Sequence, residues 1–149
     1  MRFICDNTLG KLTKYLRILG FDTISINDLN MLNRYKNQDN PPLLFTKRMK
    51  TISYQPAIFI QSNRIQEQIK EIKNSIKPYV NSHNFMTRCI GCNTLLESAE
   101  KTDIEARVPE YIYHHHEEFK VCSSCKKVYW EGTHTEQMKQ WAEVLKILK

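Results

Sequence analysis

Short apolar runs alternate with helical patterns along the first half of the chain. The runs have the length and composition of buried strands, and they cover residues 3–5, 21–26, 43–46 and 57–60. Between them, apolar residues recur every three or four positions over residues 9–19 and 63–77, as on one face of a helix. A shorter helix is predicted over residues 29–35. Strands that alternate with helices in this way predict an α/β fold with a parallel sheet and flanking helices.

The second half has a different pattern, in which two Cys-x-x-Cys pairs bracket a polar insert. The pairs are Cys89–Cys92 and Cys122–Cys125, and 29 residues lie between them. A helical pattern follows over residues 135–148. We therefore expect an α/β domain over residues 1–78, a linker over residues 79–85, and a small ribbon with a C-terminal helix over residues 85–149.

The two cysteine pairs predict a structural zinc site. Each pair can place two thiolates on one tight turn, and two such turns make the tetrahedral cage that Zn²⁺ prefers. Gly91 lies within the first pair, where we expect a turn with positive φ. Two disulfides or a redox pair are the alternatives, but the spacing favours zinc. The expected ligands are Cys89, Cys92, Cys122 and Cys125.

The charge of the chain is unevenly distributed. The 149 residues have a formal net charge of +6. Residues 1–83 contain 13 Lys and Arg against six Asp and Glu, whereas residues 84–149 contain nine against ten. A basic first half favours a polyanionic partner, nucleic acid first, and a merely solvated surface is the alternative. No apolar run approaches the roughly 20 residues of a membrane span, and no secretory signal is visible, so we expect a cytoplasmic protein without a membrane partner.

Six basic side chains of the first half are the expected nucleic-acid contacts. Three recur at helical spacing and form a stripe, and three follow the third predicted strand. We expect them to bind phosphates rather than to read bases. They are Lys11, Lys14 and Arg17 in the stripe, and Lys47, Arg48 and Lys50 after the strand.

Two acidic residues, Asp6 and Asp28, follow the first two predicted strands. Because sites in parallel sheets form beyond the carboxyl ends of the strands, we expect both residues at one edge. Two carboxylates there can hold Mg²⁺ or Mn²⁺, which activate water for phosphodiester hydrolysis. The alternatives are a helix N-cap for Asp6 and a turn residue for Asp28.

A series of motifs extends over nearly the whole chain. In the first half they are Asp6, Leu9–Leu12, Leu16-Arg17, Leu19–Thr23, Asn27-Asp28, Leu44–Thr46 and Ile58–Ile60 with Gln68. In the second half they are the four cysteines, Val108-Pro109 and Tyr129-Trp130-x-Gly132-Thr133-His134. With these motifs the chain resembles the mut-seven C-terminal RNase domain family, in which a PIN-like nuclease fold precedes a zinc ribbon. The resemblance implies a PIN-like domain followed by a zinc ribbon, with RNA as the partner.

The resemblance also implies particular site residues. It implies metal-binding acids at Asp6 and Asp28, and a further Asp in a Thr-Arg-Asp step after the third strand. Here that step is Thr46-Lys47-Arg48, so a guanidinium replaces a carboxylate. Arg48 could fill the metal's place and pair with Asp6, and Asp39 could replace the acid only if its loop folds back. His134 is implied as an RNA contact or a proton-transfer residue, with packing beside the zinc turn as the alternative.

We therefore expect an RNA-binding protein of the PIN-like ribonuclease type, in which metal-dependent hydrolysis is weakened or lost. A non-catalytic RNA-binding module, or an adaptor that binds a protein partner through a zinc ribbon, is the alternative. Tyr129 and Trp130 are expected to pack in the ribbon rather than to stack on a base, and His114–His116 to lie in a solvated loop. Removal of the zinc should unfold the ribbon and leave the first domain largely intact.

Overall fold

The computed structural model describes residues 1–48, 53–132, 136, 139, 140 and 143. Four strands of the first half form one parallel sheet in the order β2-β1-β3-β4. The strands are β1 (Arg2–Asp6), β2 (Asp22–Ile26), β3 (Leu43–Thr46) and β4 (Ala57–Phe59). Asp6 is in register with Ile26, and Thr46 with Phe59, so the strands end together at what we call the carboxyl edge. The predicted α/β fold is confirmed.

Two helices, α1 (Gly10–Ile18) and α2 (Ile65–Ile76), cover one face of the sheet. They pack on alternate residues of β1 and β3, because side chains two positions apart on a strand share a face. Phe3 and Phe45 lie at the centre of this core, with ring centroids 5.3 Å apart and no solvent exposure. The helical periodicity of the sequence thus matches the buried faces of both helices.

The opposite face of the sheet has a smaller core. Ile4 and Leu44 pack there against Leu32, which belongs to a 3₁₀ helix, and against Tyr54. The Tyr54 hydroxyl donates a hydrogen bond of 2.6 Å to the carbonyl oxygen of Pro42. The sheet is therefore buried on both faces, as parallel sheets require.

Helix α1 ends at Gly20, which has a φ of +94°. The N–H of Gly20 donates to the carbonyl of Arg17 and the N–H of Phe21 to that of Leu16, both at 3.0 Å, in a Schellman motif. A Cβ on Gly20 would overlap the carbonyl oxygen of Asn84. Gly20 therefore ends the helix and also lets the segment before the cysteines pass close over the helix end.

The predicted linker, residues 79–85, is packed against the first half. Val80 and Phe85 are buried in the same core as α1 and α2. The N–H of Met86 donates to the carbonyl of Ile18 at 2.9 Å. These two apolar side chains complete the core, so the two halves of the chain are in direct contact.

The ribbon is a three-stranded antiparallel sheet in the order β5-β6-β7. Its strands are β5 (Glu97–Ala99), β6 (Phe119–Val121) and β7 (Val128–Tyr129), and helix α3 (Glu110–His115) lies in the insert between the cysteine pairs. Ile104 and Phe119 form its main apolar core with Val128. Within the described ranges, the 3₁₀ helices are Asn7–Leu9, Leu29–Arg34, Lys77–Tyr79, Ser82–Asn84 and Lys101–Arg107.

The expectation of a loop over His114–His116 is wrong, because His114 and His115 form the last turn of α3. Their side chains are exposed, as expected. Of the predicted C-terminal helix, residues 136, 139, 140 and 143 are described and are helical, and the predicted apolar face lies outside the described residues. No helix in the described part of the chain is long and apolar enough to span a membrane.

Candidate functional site

Asp6 ends β1 at the carboxyl edge, and its side chain is buried. One carboxylate oxygen accepts hydrogen bonds from the Thr8 N–H, at 2.9 Å, and from the Thr8 hydroxyl. The other oxygen accepts from the Thr46 hydroxyl and from the Lys47 N–H, at 3.1 Å. Burial alone would raise the pKa of Asp6, but these hydrogen bonds outweigh it and hold the pKa below its usual value. Asp6 is therefore an ionised carboxylate that four protein donors already satisfy.

Asp28 lies two residues beyond β2, and it is exposed. Its carboxylate caps the 3₁₀ helix Leu29–Arg34, accepting a hydrogen bond of 2.9 Å from the Asn30 N–H. Asp6 likewise caps the helix Asn7–Leu9. Both acids thus have the capping or turn roles that were the alternatives to metal binding.

The carboxyl edge does not fit a Mg²⁺ or Mn²⁺ ion. Such ions need several oxygen ligands in a regular octahedron, usually one or more carboxylates with free lone pairs. The lone pairs of Asp6 are directed at protein donors. Among the described residues, the four cysteines are the only group of three or more potential ligands that lie close together.

Lys47 and Arg48 follow β3 at the same edge. The Lys47 ammonium donates to the carbonyl of Ser62 at 3.1 Å and to the side chain of Asn63. Arg48 is exposed, and its Nη2 donates to Oδ1 of Asn7 at 3.3 Å. The pairing with Asp6 that the sequence allowed for Arg48 is not formed among the described contacts, since Asp6 accepts from Thr8, Thr46 and Lys47 instead. The side chains of Lys47 and Arg48, which we call the cationic rim, therefore lie beside the buried carboxylate of Asp6.

The predicted basic stripe on α1 is divided. Lys11 and Lys14 are exposed, as a phosphate contact must be. Arg17 is only 9% exposed, and its Nε donates to the carbonyl of Thr23 at 3.0 Å. Its Nη1 donates to the carbonyls of Ile90 at 2.8 Å and of Gly91 at 3.2 Å. Arg17 is thus not an exposed side chain of a surface stripe. The ribbon packs on this end of α1, and the carbonyls of its first cysteine turn accept hydrogen bonds from the Arg17 guanidinium.

Two further residues join the halves beside Arg17. The Asn93 side chain accepts from the Thr23 N–H at 3.0 Å and donates to the Asp22 carboxylate at 2.6 Å. Burial would raise the pKa of Asp22, but hydrogen bonds from Asn93 and Arg2 lower it below its usual value. Arg88 donates to the carbonyl of Gly20 at 3.3 Å. These contacts were not predicted, because the sequence marks them only by an Asn directly after a cysteine pair.

The four predicted zinc ligands come together in the ribbon. The Sγ atoms of Cys89, Cys92, Cys122 and Cys125 all lie within 4.8 Å of one another. This cluster can bind a structural metal ion such as zinc, and with four thiolates it leaves no coordination position for water. The residues present therefore fit the implied metal, whose chemistry here is to hold two turns together.

The two cysteine turns have the same geometry. In the first, the N–H of Asn93 donates to the Cys89 carbonyl at 2.9 Å, and in the second the N–H of Lys126 donates to the Cys122 carbonyl at 2.8 Å. Asn93 and Lys126 have φ values of +68° and +69°. The positive φ expected at Gly91 is therefore one step outside the pair, because the turn closes on the residue after the second cysteine.

Against the effect of burial, hydrogen bonds lower the pKa of two of the four thiols, Cys89 and Cys122, and so favour the thiolate form that binds a metal. The N–H groups of Cys125 and Ser124 outweigh burial at Cys122 and lower the pKa of that thiol to about 6. The hydroxyl of Tyr129 lies 3.1 Å from the Sγ of Cys89 and accepts from the Ile90 N–H at 3.0 Å. Tyr129 is buried, and Trp130 packs beside the ribbon core. Their side chains therefore have packing positions, as expected from the sequence.

Two predicted contacts, Lys50 and His134, lie outside the described residues. Asp39 is exposed and belongs to no group of metal ligands among the described residues. Of the predicted edge residues, the structure thus brings Asp6, Lys47 and Arg48 together, with Asp28 a separate cap beyond β2.

The described residues thus form a parallel α/β domain with an acid at its carboxyl edge, followed by a ribbon whose four cysteines can bind a structural metal ion. The chain belongs to the Mut7-C RNAse domain family, whose model matches residues 1–142. No curated protein and no solved structure gives a significant match to the chain. The family membership confirms the resemblance seen in the sequence and indicates a nuclease-related or RNA-related function.

Proposed function

We propose that this chain is an RNA-binding protein of the PIN-like ribonuclease type, in which metal-dependent hydrolysis of RNA is weak or lost. The carboxyl edge binds phosphates through Arg48 and Lys47, and Lys11 and Lys14 extend the contact along α1. Lys50 and His134 remain RNA contacts proposed from the sequence. Zn²⁺ in the four-cysteine cage has a structural role.

One observation supports the proposal more than any other. Asp6 is the acid on which hydrolysis would depend, and it accepts hydrogen bonds from Thr8, Thr46 and the backbone of Lys47. The side chains of Lys47 and of Arg48, which follows it in the sequence, add positive charge beside this acid. A divalent ion would have to displace these donors and approach against the positive charge of the rim. A phosphate of RNA, in contrast, is attracted to that rim and needs no rearrangement of Asp6.

A metal-dependent ribonuclease is the second candidate. The lowered pKa of Asp6 favours it, because a catalytic ligand must be ionised at neutral pH. Incubating RNA with Mn²⁺ and the zinc-loaded protein tests this candidate. Cleavage that Asp6→Asn abolishes would establish the ribonuclease and contradict the proposal, whereas intact RNA agrees with it.

RNA binding is measured by fluorescence anisotropy with a labelled single-stranded oligouridylate over a range of salt concentrations. Each phosphate contact contributes about 0.7 to the slope of log K against log salt, so Arg48→Gln should lower the slope by about that amount. Lys70→Gln is the matched control, since Lys70 is exposed on α2 and its ammonium pairs with Glu67. No binding by the wild type at low salt would refute the proposal and favour an adaptor that binds a protein.

A further inference from the structure

A groove of about 530 Å³ runs between α1 and the first cysteine turn. Gly10 and Ser25 line the end of the groove near the carboxyl edge, since Ser25 is the penultimate residue of β2. Gly91 and Asn93 line the end at the cysteine turn. The volume is within the range of sites that bind small molecules. The groove exists because the ribbon is docked on the first domain.

The α1 side of the groove carries two cations. Lys14 and Arg17 line it, and no carboxylate does among the described residues. Cys92 also lines the groove, and the cage keeps a net charge of about −2 with Zn²⁺ bound, because four thiolates exceed the charge of the ion. A phosphate is therefore favoured next to Lys14 and Arg17, away from the cysteine turn.

Arg17 has a donor left for a ligand. Its Nε and Nη1 bind backbone carbonyls, while its Nη2 donates to no atom of the described residues. No polar side-chain atom of the described residues is both buried and unpaired, so this Nη2 keeps some contact with solvent although Arg17 as a whole is only 9% exposed. The hydrogen bonds to the ribbon hold the guanidinium in place, so its free N–H groups are pre-organised for a phosphate.

We infer that the groove receives one nucleotide of single-stranded RNA, with the phosphate bound by Lys14 and by Nη2 of Arg17. The inference rests on the proposed function and extends it, because the cysteine turn becomes one wall of the RNA path. The RNA strand passes from the carboxyl edge along α1 to the ribbon. Since no aromatic side chain lines the groove among the described residues, the contact is with the backbone of the RNA and not with its bases.

Two substitutions test the groove without removing Arg17. Lys14→Gln removes the exposed cation. Gly91→Glu adds a carboxylate at the groove, where a Cβ would meet no atom within 4 Å and φ is not in the left-handed region. Gly91→Gln adds the same bulk without charge and separates the electrostatic effect from the steric one.

The experiment is the same salt titration of oligouridylate binding, with zinc content and the thermal midpoint measured for every variant. We expect Lys14→Gln to lower the salt slope by about 0.7, and Lys70→Gln to leave it unchanged. Gly91→Glu should weaken binding more than Gly91→Gln, with zinc content and midpoint as in the wild type.

If Lys14→Gln and Gly91→Glu both bind oligouridylate with the salt slope and affinity of the wild type, the groove is not an RNA site. If Arg48→Gln still lowers the slope in that case, the proposed function stands without the groove. If the wild type itself binds no RNA, both the groove and the proposed function are refuted. An equal loss for Gly91→Glu and Gly91→Gln, with an unchanged slope for Lys14→Gln, would also contradict a phosphate contact.

Discussion

The carboxyl edge and the cysteine cage both gather polar side chains, but they differ in what remains available to an ion. At the edge, Thr8, Thr46 and Lys47 fill the lone pairs of Asp6. In the cage, two turns of the same geometry place four sulfur atoms within 4.8 Å of one another. Hydrogen bonds also reach the sulfur atoms of Cys89 and Cys122, so the difference lies in the number of ligands that lie together, one buried carboxylate at the edge and four thiols in the cage.

Among the experiments that test this difference between the edge and the cage, removal of the metal should change the stability of the protein most. Structural zinc contributes roughly 10–16 kcal/mol of apparent binding free energy in small domains, so a chelator should unfold the ribbon. Because Arg17 and Phe85 join the two halves, we now expect the first domain to lose stability too, unlike the separate behaviour predicted from the sequence. Calorimetry with and without chelator measures both transitions.

Cys5→Ala is the control for that experiment, since Cys5 is buried in β1 outside the cage. It should bind zinc as the wild type does. A first-domain transition that stays at the same temperature after chelation would show that the two halves are energetically independent.

Arg17→Met should have the next largest effect. The substitution leaves the carbonyls of Thr23, Ile90 and Gly91 without their donor, which should lower the free energy of unfolding by roughly 2–4 kcal/mol. Lys14→Met, one turn earlier on the exposed face, should change it by less than about 0.5 kcal/mol. Urea denaturation measures both, and equal effects would contradict the docking role of Arg17.

These residues mark the limit of what the sequence could predict. The periodicity of the apolar residues was enough to predict the sheet, α1 and α2, and the cysteine spacing was enough to predict the cage. Lys11, Lys14 and Arg17 share one helical spacing, however, and only the docking of the ribbon distinguishes the buried Arg17 from the two lysines. The Thr8 donors to Asp6 belong to the helix N-cap that the sequence offered as an alternative. The donors to the other oxygen come from Thr46 and Lys47, about 40 residues along the chain, so no local pattern showed that this oxygen was also satisfied.

Alanine substitutions of Gly20 and Gly10, at the two ends of α1, should have smaller effects on stability and can be compared directly. Gly20→Ala puts a Cβ at φ +94° against the carbonyl of Asn84, so unfolding should become easier by more than about 1 kcal/mol. Gly10 is helical with open space around it, and Gly10→Ala should stabilise the protein by about 0.5–1 kcal/mol. Thermal denaturation that shifts both variants in the same direction would contradict the close passage at Gly20.

The pH dependence of Asp6 is the smallest expected effect. Its folded-state pKa is below the unfolded value, so its stabilisation is present above the unfolded pKa and is lost as pH falls through the folded pKa. Asp6→Asn should therefore flatten the fall in unfolding free energy at acid pH. Asp28→Asn, which keeps a capping oxygen on an exposed residue, is the control. An unchanged acid profile in Asp6→Asn would refute the assignment of this stabilisation to Asp6.

The central claim is that the carboxyl edge binds phosphate and not a divalent ion. Electron paramagnetic resonance measures free Mn²⁺ directly during titration of the zinc-loaded protein, with Asp6→Asn as the comparison. We predict that the wild type and Asp6→Asn give identical Mn²⁺ titration curves, because protein donors already bind the Asp6 carboxylate. One equivalent of Mn²⁺ bound by the wild type and lost in Asp6→Asn would contradict it.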